Sequence, residues 1–491
     1  VRVATGSRLE QVLLESARYI SSILAVIMLR SQSRVQGTRL THILQQQGLA
    51  TADRVGIRSW FSSGGSGGGS RSASRRRRRP STTIQFQEEE PKKIMFQSLG
   101  CPRNFVDTEV MLGLSVKSGM EITQDIEDAD YLVVNTCGFL ESARQESREV
   151  IQDLANHKKQ NSKLLVTGCM VNLHKDQILK EFPQVDSVLG SGAIDKVIET
   201  IHELEENQTN HNTTTGRPDP LVQSAHRRSF LARGDVPRFL ATPPHYAYLK
   251  IAEGCKKQCA FCIIPKIKGR LQSKPIPELV EEFQAILEHG ASEIILIAQD
   301  LGDYGKDFQA SSSSSSWTTS PTAPQNLEQL LRALLDATDD PQLWLRLLYL
   351  YPDEITPSLM ELMKADDRIC RYLDMPIQHS HDDILKLMRR KTTSQQIKAT
   401  INLLREQLPG IHIRTSLMVG FPGETEEHFQ DLLNFVQEYE LENVGVFTYS
   451  NEPLAYSSRL PNHVPEEVKE ERYHRLMEVQ LETVRRKNQA R

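Results

Sequence analysis

From Lys92 onward, short apolar runs alternate with helix-length stretches, and this alternation restricts the chain to a parallel α/β architecture. The run Ile94–Leu99 ends in Gly100-Cys101 and is followed by a helical pattern from Phe105 to about Lys117. Tyr131–Val134 ends in Asn135-Thr136-Cys137, with a helix from about Glu141. Lys163–Val166 ends in Thr167-Gly168-Cys169, again with a helix behind it. Three cysteines thus close three successive strands, at the edge where open α/β sheets place their ligands. A second series begins at His245, with strands near Tyr246–Ile251, Glu293–Ile297, Trp344–Tyr349, Arg371–Met375, His412–Met418 and Asn443–Thr448. Helices near Pro277–His289, Leu327–Ala337 and Thr425–Tyr439 fall between them. Six β/α repeats predict a partial (β/α)6 barrel, lacking the last two units of a full eightfold one.

The regions around these two series read differently. Residues 1–80 hold 14 arginines, no lysine and three acids, a net +11 in a chain of net −4, so the remaining 411 residues sum to −15. An acidic body argues against DNA or general nucleic-acid binding. The leader combines the Gly/Ser tract Ser63–Ser74 with Arg75–Arg79, an acid-poor composition that predicts a disordered organellar transit peptide. Its apolar stretch Tyr19–Leu29 is too short to cross a bilayer, and no apolar run reaches the roughly 18 residues a membrane-spanning helix needs. The expected division is a leader over 1–91, a first α/β domain over 92–204, a linker over 205–243, a barrel over 244–464 and a charged helix over 465–491. Ser311–Ser316 reads as a low-complexity loop insertion.

The chemistry lies in the cysteines. Seven in 491 residues are too few for a secreted disulfide framework. Cys255, Cys259 and Cys262 form a C-x3-C-x2-C run directly after the first barrel strand. Thiolates suit zinc or an iron–sulfur cluster. Structural zinc is normally closed by a fourth ligand, and none is near, since His245 lies on the far side of the strand. The spacing, with Phe261 just before the last cysteine, resembles the radical-SAM signature, in which three cysteines leave one iron of a 4Fe–4S cluster open for S-adenosylmethionine. Cys101, Cys137 and Cys169 are either unrelated buried thiols or, given their shared position, a second three-thiolate site. Cys370 has no partner in either set and reads as an inert core thiol. On the barrel rim, Gln299-Asp300 and Pro376-Ile377-Gln378-His379 end strands. The loop Gly420-Phe421-Pro422-Gly423-Glu424-Thr425 is either a cofactor-binding turn or a plain turn capped by Glu424 and Thr425.

Taken together, the chain resembles the methylthiotransferase family of radical-SAM enzymes, and within it the branch acting on ribosomal protein S-twelve. SLGCPRNFVDTE (98–109), NTCGFLESARQES (135–147), TGCMVN (167–172), YLKIAEGCKKQCAFCIIPKIKGR (248–270), MPIQHSHDDILKLMRR (375–390), VGFPGETEEHF (419–429) and VPEEVKEER (464–472) carry the resemblance over about 92–480. Branches that modify a tRNA adenosine share both cysteine sets but usually read GCQMN where this chain has Gly100-Cys101-Pro102-Arg103-Asn104. The resemblance implies two 4Fe–4S clusters, an auxiliary one on Cys101, Cys137 and Cys169 and a radical-SAM one on Cys255, Cys259 and Cys262. It also implies S-adenosylmethionine bound near Phe261, Gln299, Gln378, Gly420, Gly423 and Glu424, and an electron donor such as ferredoxin or flavodoxin. The implied reaction places a methylthio group on the β-carbon of a target aspartate, where only a cofactor radical can break the unactivated C–H bond. The leader would direct this chemistry to a mitochondrion or plastid, the cytoplasm being the alternative. Family members normally end in a small β-barrel TRAM module, and Asn451-Glu452-Pro453-Leu454-Ala455 lacks an expected glycine–threonine pair. The chain is therefore expected to be a fragment, or a chain that lacks its substrate-gripping part.

Overall fold

The computed structural model describes residues 90–210, 221–223, 236–308 and 325–489. The leader, most of the expected linker and Ser311–Ser316 lie outside the described residues.

The first sheet is built from β1 (Lys93–Ser98), β2 (Glu121–Ile122), β3 (Tyr131–Thr136), β4 (Lys163–Gly168), β5 (Ser187–Gly190) and β6 (Leu221–Gln223). All pairs are parallel and the order is β2-β1-β3-β4-β5-β6. Its helices are α1 (Pro102–Lys117), α2 (Glu141–His157), α3 (Cys169–Glu181) and α4 (Val197–Asn210). Because strand side chains alternate, both faces of β3 are buried. Leu132 and Val134 pack with Ile151 of α2 and Ile178 of α3. Tyr131 and Val133 pack on the other side with Val110 and Met111 of α1 and Ile201 of α4. The chain leaves β1 toward β2 on one side and returns to β3 on the other, so the order reverses between β1 and β3. Beyond the carboxyl ends of such strands an α/β sheet opens a crevice. Inside the stretch expected to be a linker, α4 continues to Asn210 and β6 pairs with β5.

The second sheet follows as β7 (Tyr246–Lys250), the short antiparallel pair β8 (Ala252–Glu253) and β9 (Gln272–Ser273), then β10 (Glu293–Ile297), β11 (Trp344–Leu347), β12 (Ile369–Asp374), β13 (His412–Val419) and β14 (Asn443–Thr448). The six long strands pair in parallel in the order β14-β13-β12-β11-β10-β7, the expected six-unit partial barrel. Its helices are α5 (Ile264–Ile267), α6 (Ile276–Glu288), α7 (Leu327–Asp336), α8 (Pro357–Ala365), α9 (Asp382–Leu387), α10 (Ser394–Gln407), α11 (Glu426–Tyr439) and α12 (Glu466–Gln489). Local sequence sets their starts: Asn326, Thr393 and Thr425 each close a capping box with the residue three further on. One apolar core joins strand residues such as Leu249, Leu296, Leu345, Leu373 and Leu417 to Phe283, Leu331 and Phe429 of the helices, and reaches Leu476 of α12.

Candidate active site

Cys101 follows β1, Cys137 follows β3 and Cys169 follows β4, three adjacent strands, so the first trio gathers at the sheet's crevice. Gly100 makes the approach possible. It has φ +87°, and a Cβ there would lie 2.9 Å from Cys137 Cβ and 3.1 Å from its Sγ, so no side chain fits. Asn104, fully buried, ties the crevice together: its Nδ2 donates to Thr136 O (2.8 Å) and Leu99 O (3.2 Å), and Cys169 Sγ donates to its Oδ1 (3.4 Å). Burial works against ionising Cys101, but Arg103, the Asn104 N–H and Lys268 outweigh it and lower this thiol. Burial raises Cys137, with repulsion from Cys101 adding to it. Cys169 is pushed up to about 12 by burial, against the pull of Lys268 and helped by Cys101 and Cys137. The three thiols thus stand close enough in the crevice to oppose one another's ionisation.

The second trio lies in the loop after β8, at the barrel mouth. Burial pushes Cys255 up to about 11 and Cys262 to about 12, and neighbouring thiols add to both. Cys259 Sγ is 3.2 Å from the Tyr351 hydroxyl and 3.8 Å from Arg390 Nη1. Arg390 also donates to Pro376 O (2.5 Å) and lies 3.9 Å over the Tyr351 ring. Lys257 pairs with Glu354 (2.7 Å) and Asp300 (3.2 Å), within the acidic group Asp300, Asp303 and Glu354. Phe261 packs, half-buried, against Ala260, Ile384, Met388, Phe421 and Tyr449.

The two trios meet across the seam between the sheets. Cys169 packs with Ile263 and Ile267, which flank and end the helix behind Cys262, and with Ala455. Asn172 Nδ2 donates to Ile267 O (2.7 Å). Arg103 reaches from α1 to donate to Ala298 O (2.6 Å) at the end of β10, and its charge acts on Cys101, Cys169 and Cys262. Beneath lies a buried network: Lys250 bonds Asp107 of α1 and Glu253 (3.1 Å), and Lys268 bonds Asp107 (3.3 Å) and Glu253 (3.5 Å). At the outer edge Arg144 pairs with buried Glu452 (2.6 Å), whose Oε1 accepts from the Glu141 N–H (2.9 Å).

Other expected residues fall in different places. Gln299 Nε2 donates to Glu253 Oε1 (2.6 Å), while its own Oε1 is buried without a partner among the described residues. Gln378 ends the rim after β12 with φ +72°, held there by N–H and C=O bonds to Ser416 and Met418. The 420–425 loop is tied to itself, to α12 and to Asn462. Glu424 accepts from the Gly420 N–H (2.9 Å) and from Arg472 of α12 (2.8 Å), and Gly423 N–H donates to Asn462 O (2.9 Å). A Cβ on Gly420 would stand 2.2 Å from Lys469 Cγ, so α12 packs closely against the backbone at that position. Thr425 is the cap of α11, and Glu424 takes no part in that cap. His379 is wholly buried beside Glu424 (3.7 Å). Cys370 lies within β12 and is half-buried instead of preceding the strand in the core, with burial pushing it up to about 11. Sequence reasoning passed over Arg103, Asn104, Asp107, Tyr349, Tyr351 and Arg390. Three of these sit in the 98–109 segment, where their proximity to Cys101 was the available signal.

Residues 93–190 match the uncharacterized protein family UPF0004, and residues 249–436 match the radical SAM superfamily. The ribosomal protein uS12 methylthiotransferase RimO of Protochlamydia amoebophila (strain UWE25) is 51% identical over 399 residues, covering 81% of this chain and 78% of that protein. The chain belongs to the RimO methylthiotransferase family. The protein of the same name from Desulforamulus reducens is 42% identical, covering 80% of this chain and 83% of its own length. Among solved structures, the radical S-adenosylmethionine methyltransferase TsrM of Kitasatospora setae matches with a TM-score of 0.52 at 14% identity, over 75% of this chain and 77% of that one, a likeness of fold. Family membership makes the chain a radical-SAM enzyme that transfers a sulfur-containing group, using S-adenosylmethionine and a 4Fe–4S cluster.

Proposed function

We propose that the protein inserts a methylthio group at the β-carbon of an aspartate of ribosomal protein uS12, the protein named in its relatives. The observation that carries this reading is the meeting of two cysteine trios at one seam, joined by the contact of Cys169 with Ile263 and Ile267. In this reading Cys255, Cys259 and Cys262 hold the superfamily's cluster, and Cys101, Cys137 and Cys169 hold an auxiliary one. The donor set fits: each trio is thiols only, with no fourth protein ligand in the same loop or crevice among the described residues. When bound, these groups would supply the electron that cleaves S-adenosylmethionine to a hydrogen-abstracting radical, and the sulfur that is transferred.

The chain's own residues prepare that chemistry. Arg103 and Lys268 favour the ionised form of Cys101, the form that ligates. Arg390 and Tyr351 hold the Cys259 side of the loop, and the apolar patch around Phe261 excludes water from it. Gln299 and Gln378 would contact S-adenosylmethionine from the rim. The first sheet, β1 to β6, then holds one trio, and the barrel series from β7 to β14 the other. A small reductant such as ferredoxin or flavodoxin would deliver electrons, and the arginine-rich leader argues for organellar uS12 as substrate.

The test is anaerobic purification with iron and sulfide counting, followed by mass spectrometry of uS12 incubated with the enzyme, reductant and S-adenosylmethionine. The expected result is roughly eight iron and eight sulfide per chain, the content of two 4Fe–4S clusters, and one methylthio group on uS12. Unmodified uS12 together with methylthiolated tRNA adenosine would overturn the substrate. Full activity at about half that iron content would overturn the auxiliary cluster.

A further inference from the structure

The seam between the trios holds one cation whose hydrogen-bonding capacity is largely unused. A guanidinium offers five N–H donors in a planar fork. Among the described residues, Arg103 makes a single hydrogen bond, Nη1 to Ala298 O at 2.6 Å, and lies 5.7 Å from the centroid of the Tyr349 ring. The residue is half-buried. The other cations nearby are committed: Lys250 and Lys268 to Asp107 and Glu253, Lys257 to Asp300 and Glu354, and Arg390 to Pro376 O and Tyr351. Glu253, the carboxylate whose charge Arg103 feels, is itself bonded by Lys250, Lys268 and Gln299. Tyr349 stands at φ +64° just past β11, a backbone conformation that is rare for a bulky residue and that clusters at ligand sites.

We propose that Arg103 is the substrate-recognition residue of this site: it grips the side-chain carboxylate of the target aspartate, with the Tyr349 ring beside it. The inference rests on the uS12 reading above. A β-carbon to be modified between the two trios must sit there with its carboxylate attached, and a carboxylate desolvated in such a seam requires a cation with free donors. Arg103 presents a fork of the geometry a carboxylate accepts. The site would thereby select an acidic peptide side chain over the neutral amide of the same shape.

A double-mutant cycle tests this. Binding of intact uS12, carrying either its target aspartate or asparagine in its place, is measured on the cluster-loaded wild-type enzyme and on Arg103→Gln, with iron content as the check on assembly. The wild-type enzyme is expected to prefer the aspartate form by about 10- to 100-fold, the span of a charged hydrogen bond. In Arg103→Gln the two forms should bind within about threefold, and Arg103→Lys should recover part of the preference, since it keeps the charge without the fork. A preference retained in Arg103→Gln, additive with the substrate change, would overturn the assignment. Failure of the wild-type enzyme to bind or modify either form would instead defeat the uS12 reading on which it rests.

Discussion

Asp107 is the one carboxylate that α1 contributes to the buried network beneath the site, and replacing it with asparagine isolates what that network does. The side chains of Asp107, Lys250, Lys268 and Glu253 are each 2–3% exposed, and their two positive and two negative charges cancel. Burial opposes the charge on Lys250, but Asp107 and Glu253 outweigh it and raise its affinity for the proton. Burial likewise opposes Lys268, and Glu253, Cys169 and Asp107 outweigh it. Asp107→Asn keeps the shape and leaves one buried cation without compensation. Breaking a buried pair from one side costs about 3–5 kcal/mol. Glu253 still bonds both lysines, so the lower end applies, about 3 kcal/mol or roughly 150-fold in an equilibrium. A chain with two sheets need not unfold in one step, so the assay should be local. Native-state hydrogen exchange of the slowest α1 amides should accelerate by that factor, with β14 little changed. Adding Lys250→Met to Asp107→Asn removes the excess charge and should restore at least half of the lost protection. An acceleration below about threefold in Asp107→Asn would refute the account of the seam as charge-balanced.

Further outcomes follow from the same geometry. Cys101→Ala should still cleave S-adenosylmethionine while methylthio transfer disappears, and iron should fall by about four per chain; loss of cleavage would argue against separate clusters. Gly100→Ala forces a side chain into 2.9 Å contact with Cys137 Cβ at φ +87°, so iron and sulfide counts should drop as in Cys101→Ala, and a full complement would show that the crevice yields. Burial, then His381, His428 and Arg472, depress the His379 imidazole to about 3 from an ordinary 6.5. A depressed histidine contributes fully above pH 6.5 and loses that contribution as pH falls toward 3, by up to about 1.4 kcal/mol per pH unit. His379→Asn, which retains an acceptor for the His381 N–H, should flatten the melting temperature between pH 6.5 and 4.5; an unchanged slope would assign the acid sensitivity elsewhere.

Local sequence by itself determined the parallel α/β class, the two series of strands and both cysteine trios, because strand–helix alternation and a C-x3-C-x2-C loop are written in neighbouring residues. The positions of Cys101, Cys137 and Cys169 at strand ends were legible for the same reason. Short elements were not: β6 has three residues and no alternating run to announce it, and only pairing with β5 makes it a strand. The fate of the 420–425 loop was likewise open, since a glycine turn before a helix reads the same whether a cofactor or a side chain fills it. Its contacts with Lys469 and Arg472, about 50 residues later, are ones only the tertiary structure makes. The seam itself belongs wholly to the tertiary structure. Arg103 meets Ala298 across 195 positions and Arg144 meets Glu452 across 308, and no local pattern encodes a partner that distant. Docking one sheet's crevice against the other's mouth desolvates these charges together, and desolvation is what gives each of them a specific partner or, for Arg103, leaves donors to spare.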